Sequence, residues 1–150
     1  MGVGRVFMIA KEMKTGDLLQ ELKKTAHIED YFRENEGGFR SETFTRALNR
    51  LFEGQGKSKA EIARASGISD IYLYQIFAGN RLPSRDRLAC ICLGMQMTEE
   101  DTQYLMRLCG YAPLYVRDRR DAVILHGLLH QTPIYDINNN LIDHQMDPIL

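Results

Sequence analysis

Three features of the sequence predict an all-α fold. Apolar residues recur at intervals of three and four along nearly the whole chain, the spacing that places them on one face of a helix. A Ser, Thr or Asp stands before nearly every such run, where its side-chain oxygen can accept hydrogen bonds from the unpaired N–H groups of the first turn. No stretch alternates apolar and polar residues as a half-buried strand would.

Taken in order, Asp17 opens a run to about Thr25 with Leu18, Leu19 and Leu22 on one face, and Ile28 to Asn35 either continues or follows it, ending at Gly37-Gly38. Ser41 is the expected cap of a run carrying Phe44, Leu48, Leu51 and Phe52, closed by Gly54. Ser58 and Glu61 have the spacing of a capping box, which fixes a helix start at Ser58. Ser69 caps the next helix, which Gly79-Asn80 stops, and Ser84 behind Pro83 caps another that ends near Gly94. Thr98 precedes Glu99, Glu100 and Asp101, whose charges complement a helix dipole; Tyr104, Leu105, Leu108 and Cys109 form the buried stripe. After a break at 110–113, Arg117 to Leu129 reads as a helix, and Thr132-Pro133 supplies a cap and an N1 proline for a last one through Ile142.

A chain of 150 residues suits one domain with a core large enough to stand without a disulfide or metal. The 44% hydrophobic and 26% charged composition is that of a globular protein. The longest apolar runs are far short of the ~18 residues a membrane span needs, and Lys11, Glu12 and Lys14 follow the short N-terminal apolar stretch at once, so no secretory signal is expected. Three cysteines without a Cys-x-x-Cys pair fit a reducing, cytoplasmic compartment. The net charge of −1 gives no general attraction to nucleic acid, but residues 40–90 carry nine Lys or Arg against five acids.

The informative stretch runs from Lys59 to Gly79. Two short helices here must cross closely, which requires a small side chain at the contact, supplied by Ala63, and a turn residue tolerant of positive φ, supplied by Gly67. Ile62, Ile68, Leu73, Ile76 and Phe77 fill the shared core. The spacing of Ala63, Gly67, Leu73 and Ile76, the Ser69 cap and the Gly79 stop closely resemble the lambda-repressor-like, XRE-type helix-turn-helix family. The resemblance continues through Asn80-Arg-Leu-Pro83-Ser84 and Leu88 and covers about residues 44–95. More loosely, the phrases at 74–79, 83–88 and 108–122 are similar to bacterial XRE-type regulators. The resemblance implies a five-helix domain over 39–112; caps and periodicity add an N-terminal helical segment over 13–38 and a C-terminal helical extension over 113–150, and residues 1–12 are expected to be a flexible extension.

It also implies a recognition helix at about 69–78 lying in the major groove of double-stranded DNA. With Leu73, Ile76 and Phe77 turned inward, Ile71, Tyr74, Gln75 and Ala78 face outward, flanked by Asp70 and Tyr72. Gln75 suits a bidentate contact to adenine, Ile71 a thymine methyl and Asp70 a cytosine amino group, giving Asp70, Ile71, Tyr74 and Gln75 as base-facing residues. Lys57, Ser58, Lys59, Ser69, Asn80 and Arg81 stand where family members meet phosphates; Arg46, Arg50, Arg64, Arg85 and Arg87 are weaker candidates. The face itself has no Lys or Arg, and the alternative is a protein-interaction module that keeps the frame without reading DNA. Such regulators commonly bind as two-fold dimers, and Val123, Ile124, Leu128 and Leu129 are the expected dimer surface.

Other signals carry less. His126 and His130 share a helix face, but no ligand-spaced Cys or acid completes a metal site. Cys90, Cys92 and Cys109 read as packing thiols. The alternating charges of 117–121 mark a solvated face or local ion pairs, with a second phosphate contact as the other reading. Gly2 and Gly4 are too few for a phosphate loop. No nucleophile, base and oxyanion donor are grouped, so neither an enzyme nor a cofactor is expected.

Overall fold

The computed structural model describes residues 14–39 and 42–150. Among these residues the chain is all-helical, and it divides into two compact units, 1–41 and 42–150. The extension expected over 1–12 and the expected cap at Ser41 lie outside the described residues.

The first unit holds α1 (Thr15–Lys24), α2 (Ile28–Glu34) and a 3-10 turn at Glu36–Gly38. The first helix starts two residues before Asp17, at a Lys14 cap position with no side-chain bond; Asp17 contributes its charge to the first turn instead. Extended backbone at Thr25 and His27 separates α2 from α1, so the second run follows the first rather than continuing it. Asn35 joins them: its buried amide donates to the Glu21 carboxylate at 2.9 Å and to the Tyr31 carbonyl at 3.1 Å. Phe39 packs edge-on against Tyr31 and Phe32.

The second unit holds α3 (Phe44–Glu53), α4 (Lys59–Ser66), α5 (Asp70–Phe77), α6 (Arg85–Gly94), α7 (Glu99–Leu108), α8 (Arg119–Leu129) and α9 (Ile134–Asp143). Ser58, Ser69, Ser84 and Thr98 cap their helices as the sequence requires, each accepting from the backbone N–H three residues on. Three helix starts differ from expectation. Thr43 holds the cap of α3, accepting from Arg46 at 3.2 Å. Asp118 caps α8 through the Asp121 N–H, so that helix begins at Arg119 and not Arg117. Pro133 takes the cap position of α9 rather than N1, with no side-chain bond from Thr132.

Helix α6 is the centre of the unit. Every residue from Leu88 to Gly94 is buried, and α4, α7, α8 and α9 all pack on it. Its closest neighbour is α4: Gly94 lies against Ser66 so tightly that an added Cβ would sit 2.8 Å from the Ser66 backbone nitrogen. The C-terminal helices share this core, since Ile124, Leu125, Leu128, Ile137, Leu141 and Ile149 belong to the same buried cluster as Ile62, Leu73 and Leu88. The expected dimer surface therefore fails in its main members: Ile124 and Leu128 are 1% and 4% exposed, and of that set only Leu129 projects into solvent.

Two reciprocal ion pairs fasten α8 to the start of α6. Arg85 grips Asp121 with two bonds of 3.0 Å, and Arg120 grips Asp86 at 2.9 and 3.0 Å. Arg120 and Asp121 are thus tied to a distant helix rather than to local partners within 117–121. Arg120 also donates to the Asp147 and Pro148 carbonyls, and the Ile149 N–H donates to Asn138, which pins the C-terminal segment across the unit. All three cysteines are free thiols, and burial pushes Cys90 and Cys92 up to about 12 and Cys109 to about 11.

Candidate nucleic-acid interface

The site is built on α4, α5 and the turn between them. Gly67 leaves α4 in the left-handed region at φ 68°, ψ 20°, where an L side chain is strained. That reversal lets the Ile68 N–H reach back to the Ala63 carbonyl at 3.1 Å and bring Ile68 into the core. Ser69 then restarts the helix two residues after the glycine, its hydroxyl accepting from Tyr72 at 3.2 Å.

Helix α5 sorts its residues by face. Leu73, Ile76 and Phe77 are buried, while Ile71 is 72% and Tyr74 49% exposed. Gln75 is half-buried, and Asp70 and Ala78 are exposed. The far end of the helix is fixed from α3, where the Asn49 amide donates to the Phe77 carbonyl at 3.0 Å and to Thr45 at 2.9 Å. This satisfies a carbonyl that the end of a helix leaves open. Nothing local in the sequence marks Asn49 for the task.

Cations and aromatic rings meet on two sides of α5. The Lys59 ammonium sits over the rings of Phe77, Phe52 and Tyr74, at 5.1, 5.6 and 5.9 Å from their centroids. Arg81 and Arg87 stack on the same Tyr72 ring, at 4.6 and 5.2 Å. Lys59, Tyr74 and Arg81 are therefore gathered round one helix. Arg87, a weaker candidate in the sequence, stands beside Arg81, and Tyr72 proves to be the platform for both. Ser58 and Ser69 lie at the two helix starts, and Asn80 is exposed, its N–H donating to the Gln75 carbonyl.

Lys57 is directed elsewhere. Its ammonium reaches the Met95 carbonyl at 3.5 Å and Gln96 at 3.4 Å, beyond the end of α6. Arg50 is occupied by Glu42, whose carboxylate also accepts from Tyr104 at 2.7 Å; the hydrogen bonds from Arg50 and Tyr104 hold Glu42 below the usual carboxylate range. Arg85 is occupied by Asp121. His126 and His130 face each other with ring centroids 4.3 Å apart, and among the described residues no group of three or more His, Cys, Asp or Glu is placed to hold a metal ion.

No family model matches the chain, and no curated protein or solved structure matches it. Among the described residues no helix is long and apolar enough to cross a membrane. What the arrangement can do follows from its own chemistry. An exposed helical face offers one amide, one hydroxyl, one acid and an apolar branch, and cations stand along both its sides, a combination suited to base edges between two rows of phosphates.

Proposed function

We propose that the chain is a sequence-specific DNA-binding transcriptional regulator of the lambda-repressor-like, XRE type, acting in the cytoplasm on double-stranded DNA as a homodimer. Helices α4 and α5 form the helix-turn-helix, and α5 is the recognition helix. The observation that carries this reading is the division of α5: Leu73, Ile76 and Phe77 seal one side, and Ile71 stays bare between Tyr74, under Lys59, and Tyr72, under Arg81 and Arg87. Gln75 reads adenine, Ile71 packs on a thymine methyl and Asp70 accepts from cytosine, while the cations take phosphates.

Titrating the protein into labelled duplex from upstream of its own gene tests the reading. A preferred fragment and a steep fall of log K with log salt are expected. Lys59→Ala lowers affinity for all sequences alike and makes that slope shallower by about 0.9, one phosphate's share. Gln75→Ala relaxes preference at one base pair, by about 1–3 kcal/mol of discrimination. If wild-type protein binds no fragment even at low salt, DNA readout is wrong.

One observation favours a second reading, in which α5 docks a protein. No Lys or Arg lies on α5 itself, Asp70 opposes phosphate, and Ile71 and Tyr74 are large and apolar. In that case Ile71→Ala changes no DNA affinity and abolishes the protein complex.

A further inference from the structure

The segment between α7 and α8 has no regular structure, yet side chains hold its backbone from Ala112 to Tyr115. Arg85 donates to the Ala112 carbonyl at 3.1 Å and the Pro113 carbonyl at 3.2 Å. The buried Gln103 amide makes a two-way clamp on Leu114, donating to its carbonyl at 2.8 Å and accepting from its N–H at 2.7 Å. Asp121 accepts from the Tyr115 N–H at 3.0 Å, and the Tyr111 hydroxyl donates to the Pro83 carbonyl at 2.8 Å. Side chains from α6, α7 and α8 thus fix the loop, and what it presents is large: Tyr115 is 56% and Val116 73% exposed. A loop fixed this firmly by a rigid scaffold, with bulky side chains left in solvent, has the build of a contact surface.

Charge selects the partner. Two of the acids around this loop are paired internally, Asp121 by Arg85 and Asp86 by Arg120, while the Asp118 carboxylate caps α8 by accepting from the Asp121 N–H. Arg117 and Arg119 are exposed, and their side chains enter no ion pair or hydrogen bond among the described residues. Arg117 and Arg119 lie near the first turn of α6, because the adjoining Arg120 and Asp121 pair with Asp86 and Arg85 there, and Arg87 of that turn stacks with Arg81 on Tyr72 of α5. Arg81, Arg87, Arg117 and Arg119 are all exposed, and among the described residues none of them is in an ion pair.

We infer that the loop from Tyr115 to Arg119 is a second DNA-contacting element, which grips the phosphate backbone outside the base pairs read by α5. Arg117 and Arg119 supply the charge and the Tyr115 hydroxyl a further donor, without base specificity. The inference rests on the DNA-binding reading, and the following experiment separates the two. Wild type and the double variant Arg117→Ala/Arg119→Ala are titrated with the preferred upstream duplex across a salt series, and both complexes are footprinted by hydroxyl radicals. Both residues are exposed, so unchanged circular dichroism and melting are expected of the variant. Its log–log salt slope is expected to be shallower by about 1.8, with base preference unchanged and protection lost only from backbone flanking the half-site. A wild type that binds with a steep slope and a variant identical to it in slope and footprint would overturn the loop's role and leave the α5 reading intact. A wild type that binds no duplex overturns both, and an Arg117/Arg119 effect seen only on a protein complex assigns the loop to a protein partner instead.

Discussion

Replacing Arg85 with alanine is expected to destabilise the second unit by about 3 kcal/mol at neutral pH. Removing one partner of a buried ion pair leaves the other charge uncompensated, at a cost of about 3–5 kcal/mol, and the partial exposure of Arg85 places this case at the lower end. The Ala112 and Pro113 carbonyls lose their donor in the same step. The effect has a pH signature. Burial pushes the Asp121 carboxyl up, but the Arg85 guanidinium, the Tyr115 N–H and the charges of Arg85 and Arg120 together hold it below its ordinary value. A carboxylate held low when folded contributes stability that is complete above about pH 4 and is lost as pH falls through the folded value. In the variant burial remains while the guanidinium is gone, so acid relieves the unpaired charge. Urea unfolding should therefore show a large gap between wild type and variant at pH 7 that narrows towards pH 3. A gap of equal size at both pH values would mean that the pair is not its source.

The second large effect concerns Gly94. Gly94→Ala is expected to cost about 2 kcal/mol, lowering the melting temperature by about 4–8 °C. Alanine favours a helix interior by about 0.8–1.0 kcal/mol over glycine, but overpacking costs about 1–3 kcal/mol. Overpacking wins here because the new methyl meets backbone, the Ser66 nitrogen, and α4 must move away from α6. Gly127 is the internal control. A methyl there meets Cδ1 and Cγ1 of the Ile137 side chain and no backbone atom, so the helices need not part and Gly127→Ala should be milder. Equal melting shifts for the two variants would contradict the assigned contact between α4 and α6.

Local chemistry made much of this architecture legible. Ser58, Ser69, Ser84 and Thr98 act within three residues of themselves, and Gly67 answers a demand of its own turn, so each could be read from a short window of sequence. The inward and outward faces of α5 follow from helical periodicity alone. Contacts between distant residues were not legible. Arg120 and Asp121 sit in an alternating-charge run that resembles a solvated face, yet their partners lie 34 and 36 residues away. Lys57 has the type and position of a phosphate contact, and only the return of the chain at Met95 shows where its ammonium goes. Ile124 and Leu128 were read as an outer surface because periodicity identifies an apolar face without saying what covers it. The starts of α3 and α8 lie two residues beyond those expected, where Thr43 and Asp118 each accept from the N–H three residues on.

The reading of α5 as the element that enters the groove is tested most directly by amide shift mapping of the isotope-labelled full chain during titration with the preferred upstream duplex. Saturable shifts are expected at Lys59, from Ser69 to Gln75 and at Asn80 and Arg81, weakening when the same duplex carries changed base pairs. Saturable binding that leaves those amides unmoved would contradict it.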